Sequence, residues 1–179
     1  WNGTCEFGDG AMVTHPKGLT KFGRQAIPKL EQHRIVVDIS HASEPLFYDV
    51  AEIANRPLVA SHSNAKAVCN HPRNLTNEQV QIIKQSGGLI GLNFHPPFLK
   101  EDGIATVDDL IAHTEHFLSL DTQDSLAIGS DFDGADLPRG ICGIEGIYAI
   151  FERFLQLGYS ETLLNKIFYT NAQKFFVSL

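Results

Sequence analysis

The sequence predicts an α/β fold built on a parallel sheet, and three observations carry that reading. Short apolar, β-branched runs alternate with segments of helical period along the 179 residues. No Pro-, Gly- or Ser-rich linker and no short fixed repeat interrupts them, so residues 1–179 read as one domain. The strand-like runs close on histidine or aspartate rather than on turn residues alone. Strands joined through helices run parallel with right-handed crossovers. An open doubly wound sheet and half of a (β/α)8 barrel fit the alternation equally, and the polar strand ends must separate them.

Residues 1–18 hold four glycines and one proline without hydrophobic period and read as a loop. From Thr20 to Gln32, Phe22, Ala26, Ile27 and Leu30 recur at helical spacing, with Pro28 inside the segment. Ile35–Ile39 then reads as a buried parallel strand. Ser43 caps a helix that carries Glu44 and Pro45 in its first turn and runs to about Ala54. Pro57–Ser61 is the second strand. The helix Asn77–Gln85 opens on a capping box, Thr76 with Gln79, and stops at Gly87-Gly88. Leu89–Phe94 is the third strand, Val107–Leu120 an amphipathic helix, and Leu126–Ser130 the fourth strand. Two helices close the chain, about Ile144–Leu157 and Glu161–Phe176, the latter capped by Ser160.

Composition excludes several classes. Hydrophobic residues at 43% and charged residues at 20% match globular proteins. The net charge of −7 comes with scattered lysines and arginines, which argues against nucleic-acid binding. No apolar run reaches membrane-spanning length, so no membrane contact is expected of these residues. Cys5, Cys69 and Cys142 lack the paired spacing of a zinc knuckle or redox motif and read as free thiols, which favours a cytoplasmic setting. Any targeting segment is expected upstream of Trp1.

The chemistry gathers at the strand ends, where parallel α/β folds place their ligands. The first two strands finish in His41 and His62, the third runs into His95, and the fourth ends Ser130-Asp131-Phe132-Asp133-Gly134. Neutral imidazole and carboxylate are the donors that zinc prefers. A lone histidine after a strand is ordinarily a loop residue, whereas two at equivalent positions favour ligation. Together, the three imidazoles and two carboxylates at successive strand ends favour a barrel metallohydrolase. His95 leads into His-Pro-Pro, where a surface role is natural. Asp131-Phe-Asp-Gly also suits a turn. Asp38, inside an apolar strand, either orients a ligand or bonds backbone amides. Arg73 precedes the capped helix, where it is either an ordinary loop arginine or a receptor for a carboxylate. His113 and His116 are expected on the solvent face of their helix, and His15, His33 and His71 have no evident partner.

These motifs resemble the membrane (renal) dipeptidase family. Gly-Leu-Thr-Lys-Phe-Gly-Arg, Val-Asp-Ile-Ser-His41-Ala-Ser, Ala-Ser-His62-Ser-Asn-Ala, Pro-Arg73-Asn-Leu-Thr, Gly-Leu-Asn-Phe and Ile-Gly-Ser-Asp131-Phe-Asp-Gly follow its order and spacing from about Trp1 to Phe176. The resemblance implies a TIM-type (β/α)8 barrel, of which this chain supplies the C-terminal half, and two zinc ions bridged by a carboxylate and by water or hydroxide. It implies His41 and His62 as ligands of one zinc, Asp131 in proton transfer, and Arg73 as receptor of a dipeptide's carboxylate. Phe98 falls where some relatives place a substrate-contacting tyrosine. Trp1 stands where some carry a histidine that polarises the scissile carbonyl. The family's His-x-Asp pair and bridging glutamate are expected upstream, because no His-x-Asp occurs in this sequence.

The function expected is zinc-dependent hydrolysis of dipeptides. The alternatives are another metal-dependent amidohydrolase, acting on a lactone or cyclic amide, and a non-catalytic half-barrel that serves as a binding module. A half-barrel leaves sheet edges open, which predicts homo-oligomerisation or association with an N-terminal half.

Overall fold

The computed structural model describes residues 1–178. Three parallel strands, β1 (Val59–Ala60), β2 (Leu89–Leu92) and β3 (Leu126–Ile128), lie side by side in that order. Val59 pairs with Leu89 and Ile90 with Leu126. The strand expected at 35–39 contracts to a single parallel bridge between Asp38 and Val59. Its start is consumed by the preceding helix, since the Ile35 amide donates to the Leu30 carbonyl at 2.9 Å. The side chain of Ile35 is 50% exposed, so burial does not hold it in the sheet either. What remains still aligns the segment, because the Ile39 amide donates to the Val59 carbonyl at 2.8 Å.

Helices intervene as the alternation requires: α1 (Lys21–Gln32), α2 (Glu44–Ile53), α3 (Asn77–Gln85), α4 (Pro96–Leu99), α5 (Val107–Leu118), α6 (Gly146–Gln156), α7 (Glu161–Asn165) and α8 (Asn171–Val177). Side-chain caps start several of them where the sequence placed them. Ser43 accepts from the Leu46 amide, and Ser160 from the Leu163 amide. Thr76 and Gln79 form a reciprocal box, with bonds of 3.2 and 2.9 Å. Each satisfies amides that the first turn leaves unpaired. Gly87, at φ +74°, ends α3 in the left-handed region that glycine enters without a steric cost.

Two helix assignments change. The segment 161–176 is not one helix: a π-helical turn, Lys166–Thr170, separates α7 from α8. The Thr170 hydroxyl donates to the Asn165 carbonyl five residues back, which widens the turn. The short α4 arises directly after His95, where no helix was expected, with Pro96 and Pro97 at its start, where no amide hydrogen is needed.

The sheet is apolar on both faces, as parallel sheets are. Ala60, Ile90, Leu92 and Leu126 join the large core formed with the helices. Val59, Leu89 and Ala127 turn the other way and pack with Phe175 of α8. The result is the parallel α/β layer that part of a (β/α)8 barrel requires. No helix among the described residues is long and apolar enough to cross a membrane.

Candidate active site

Parallel strands deliver all their C-terminal ends to one side, and the polar residues expected there meet. Trp1, His41, His62, Arg73, Phe98 and Asp131 line one cavity of about 240 Å³, together with Asn2, His95, Gly134 and Ala135. His41 and His62 face each other, Nε2 to Nε2, at 2.9 Å. Their outer nitrogens are held from behind. His41 Nδ1 lies 2.7 Å from Asn2 Oδ1, and His62 Nδ1 lies 2.7 Å from Ser61 Oγ.

Burial, with Arg73 and His62 nearby, brings the His41 pKa down to about 4. Burial also lowers His62, against the opposing pull of Asp131 and Asp38. Both rings are therefore neutral at physiological pH, the form that coordinates metal. Two converging neutral imidazoles suit zinc as part of a ligand set. They are not a whole set: among the described residues no group of three or more His, Cys, Asp or Glu side chains is placed to hold a metal.

Backbone geometry fixes how the rings arrive. A Cβ on either Gly91 or Gly129 would lie 1.9 Å from the Ser61 carbonyl oxygen. Only glycine lets β2 and β3 approach the strand end that carries Ser61 and His62. Beyond β1, the buried Asn64 and Asn93 replace the ladder: Asn64 Nδ2 donates to the Asn93 carbonyl and Asn64 Oδ1 accepts the Asn93 amide. Asn93 Nδ2 then donates to Asp131 Oδ2 at 3.3 Å. Asp131 itself holds φ +61°, an uncommon backbone state for a side chain larger than glycine. Such conformations gather at functional sites.

Arg73 is 4% exposed. Its Nε donates to the Ser40 carbonyl at 2.8 Å, and its guanidinium carbon sits 5.0 Å from the centre of the Phe98 ring. Burial lowers its pKa to about 10, with Asp131 and Asp38 pulling the other way, so it remains a cation near neutrality. Its Nη2 is buried without a hydrogen-bond partner among the described residues, and so is His95 Nδ1. Phe98 is 8% exposed and forms the platform between Arg73, His71 and His95, with the two imidazole centres 4.5 and 4.7 Å from its own. Trp1 is 89% exposed and meets His41 edge-on at 6.1 Å.

Both expectations for Asp38 describe it in part. It accepts the amides of Ser40 and Ser61, and it also accepts both of their hydroxyls. Loss of water pushes its carboxyl up, but these hydrogen bonds outweigh that and hold it below the ordinary value. His113 overturns its expectation. It is fully buried, accepting the Ala65 amide at Nδ1 and bonding the Leu99 carbonyl through Nε2, so it ties the loop after His62 to α4. Its helix is covered on that side by that loop and by α4, which periodicity alone does not show. His116 is half-exposed and bonds Asn77. His71 has a partner after all, accepting the Arg73 amide at 3.2 Å.

The residues that sequence reasoning passed over are Asn2, Ser40, Ser61, Asn64 and Asn93. One signal was available: each of the two facing histidines follows a serine, Ser40-His41 and Ser61-His62.

Comparison with known proteins places the chain in a family. The profile of one family, described as Membrane dipeptidase (Peptidase family M19), matches residues 1–178. An uncharacterized protein in the pqqA 5′ region of Klebsiella pneumoniae is 35% identical, over 96% of this chain and 67% of that protein. Dipeptidase 3 of Macaca fascicularis is 28% identical over 92% of this chain and 34% of its own length. Among solved structures, a metallo peptidase from Rhodobacter sphaeroides, liganded with a phosphinate mimic of the dipeptide L-Ala-D-Ala, is 38% identical. It superposes with a TM-score of 0.85 over 89% of this chain and 46% of that one. The dipeptidase AC structure, a metallo peptidase of family M19, is 35% identical with a TM-score of 0.92, covering 98% of this chain and 53% of its own. The chain thus spans about half the length of these solved relatives.

Proposed function

Because the chain belongs to the membrane dipeptidase family, we propose that its protein is a zinc-dependent dipeptidase. The observation that carries this reading is the shared cavity: two imidazole Nε2 atoms 2.9 Å apart, and a buried arginine with one free nitrogen, line the same space.

His41 and His62 would hold one zinc through Nε2. Bound zinc supplies Lewis acidity, activating water near neutral pH and polarising a carbonyl oxygen. Asp131, steadied by Asn93, takes the proton of the attacking water at its carboxylate and passes it to the departing amine. Arg73 receives the free carboxylate of the substrate on Nη2 as a charge-assisted bond. A fixed carboxylate receptor at a set distance from the metal position restricts hydrolysis to short peptides. Phe98 keeps the guanidinium in place, and Trp1 borders the cavity beside His41. A dipeptide, of which the Rhodobacter sphaeroides ligand is a mimic, has the carboxylate this receptor needs. A second zinc, and the rest of the first zinc's ligands, need side chains from outside the described residues. A longer chain or a second copy supplies them.

The test is hydrolysis of a dipeptide panel by the full-length protein before and after chelation. Turnover that disappears with chelator and returns with zinc is the expected result. Turnover indifferent to chelation, or a zinc-loaded protein inert on every dipeptide, sinks the reading. Activity confined to lactones or cyclic amides would favour another amidohydrolase, whose substrates give Arg73 no carboxylate to hold.

A further inference from the structure

We propose that Asp38 acts through Ser61 to keep His62 protonated on Nδ1, so that the Nε2 lone pair stays aimed at the metal position. The inference rests on the dipeptidase reading only for the identity of the metal.

Proton counting carries it. The Ser40 amide and hydroxyl reach Asp38 Oδ1 at 3.0 and 2.6 Å. The Ser61 amide reaches Oδ1 at 3.1 Å, and the Ser61 hydroxyl bonds Oδ2. A carboxylate surrounded by four donors only accepts, so each serine spends its single hydroxyl proton on Asp38. Ser61 Oγ then has only lone pairs to offer His62 Nδ1, 2.7 Å away, and the ring nitrogen must be the donor. The opposite assignment turns the Ser61 hydroxyl toward the imidazole and leaves a carboxylate oxygen against bare lone pairs. Ser40 completes the arrangement, since its oxygen, with its own proton committed, accepts the His62 amide at 3.1 Å. One carboxylate thus sets both the ring proton and the backbone of His62.

The facing ring is set alike. Asn2 Oδ1, an amide oxygen, accepts from His41 Nδ1. Both Nε2 atoms therefore present lone pairs to each other, and only a shared cation joins them. Asp38 and Ser61 are positioning residues, because neither lines the cavity that takes the substrate.

The experiment uses full-length protein stripped of metal, with ring-¹⁵N histidine and long-range ¹H–¹⁵N correlation to read each tautomer. Wild type is expected to show His62 as Nδ1–H. Ser61→Ala removes the acceptor, and Asp38→Asn supplies a donor that turns the Ser61 hydroxyl around. Both variants shift His62 toward Nε2–H, and zinc affinity, measured by competition with a chromophoric chelator, falls about 10- to 100-fold. Ser61→Thr, which keeps a hydroxyl, restores the tautomer and the affinity. Nδ1–H retained in both Ser61→Ala and Asp38→Asn, or affinity equal to wild type in both, overturns the proposal. If Ser61→Ala does not fold, the near-isosteric Asp38→Asn decides alone. Should the protein prove not to be a dipeptidase, the metal-free tautomer still answers the question.

Discussion

At the scale of single residues, the role proposed for Arg73 is the one that separates peptide chemistry from other hydrolysis. Its Nη2 has no hydrogen-bond partner among the described residues, so its removal takes little from the scaffold beyond the Ser40 contact and the packing on Phe98. Arg73→Met should raise KM for dipeptides about 10- to 100-fold, the equivalent of one lost charged hydrogen bond. It should leave kcat near wild type, since the carboxylate is held equally in ground and transition states. Steady-state kinetics on a dipeptide and on its C-terminal amide check this. A penalty equal for both substrates would show that Arg73 does not bind the carboxylate. This residue also marks how far the sequence could be read. Its place after His62 and before a capped helix was visible, but spacing says nothing of the cavity it enters. That depends on the Ser40 carbonyl and the Phe98 ring, which lie 33 and 25 residues away along the chain.

At the scale of elements, three of the four expected strands and the caps were legible because their causes are local: β-branched runs, a Thr-x-x-Gln box, a glycine after the last turn. What lay hidden was long-range. His113 sits on the helical period of α5, yet it is spent on two backbone groups, Ala65 N–H in the loop after β1 and Leu99 C=O at the end of α4. Burial lowers its folded pKa to about 4 from an ordinary 6.5. Between those values the unfolded chain binds a proton that the folded chain refuses. The stabilising contribution is complete above about pH 6.5 and drains away as pH falls toward 4, to a total on the order of 3 kcal/mol. His41 has a similarly lowered value and shares the fall. Urea midpoints followed from pH 7 to pH 4.5 should therefore drop steeply, and His113→Gln should start lower but drop less. An identical slope in the variant would show that His113 is not the titrating group. The sheet makes a second prediction. Gly91→Ala sets a methyl 1.9 Å from the Ser61 carbonyl, where only backbone movement relieves it. A loss of about 1–3 kcal/mol is expected from such overpacking, with His62 displaced and zinc affinity reduced alongside. Denaturant midpoints and metal competition measure the two effects, and wild-type values for both would refute the close approach.

At the scale of the whole molecule, the sheet is unfinished. Among the described residues β3 pairs only with β2, and the segment around Asp38 pairs only with β1, so two edges remain without a further strand. Beside the second edge, Leu19, Ile27, Leu30, Val37 and Leu46 surround an apolar cavity of about 310 Å³. On α8, Phe176 is 59% exposed and Val177 82% exposed. Open edges flanked by apolar surface recruit other chains. The incomplete ligand set leads to the same conclusion by a separate route. In the proposed site His41 and His62 would supply only part of a metal's coordination, and the solved relatives extend over about as much chain again. Our proposal is that one further stretch of chain fills both gaps, since this chain covers only 46% and 53% of the solved relatives. Residues 1–179 expressed alone should accordingly self-associate as concentration rises, bind an apolar dye, and hold zinc weakly. The full-length protein should be well defined in size and hold zinc tightly. Light scattering over a dilution series, with zinc quantified on the same samples, distinguishes the two. A clean monomer of residues 1–179 that unfolds in one sharp transition and retains stoichiometric zinc would show that the sheet edges are stable as they stand. It would also mean that the site needs nothing beyond the side chains these residues bring together.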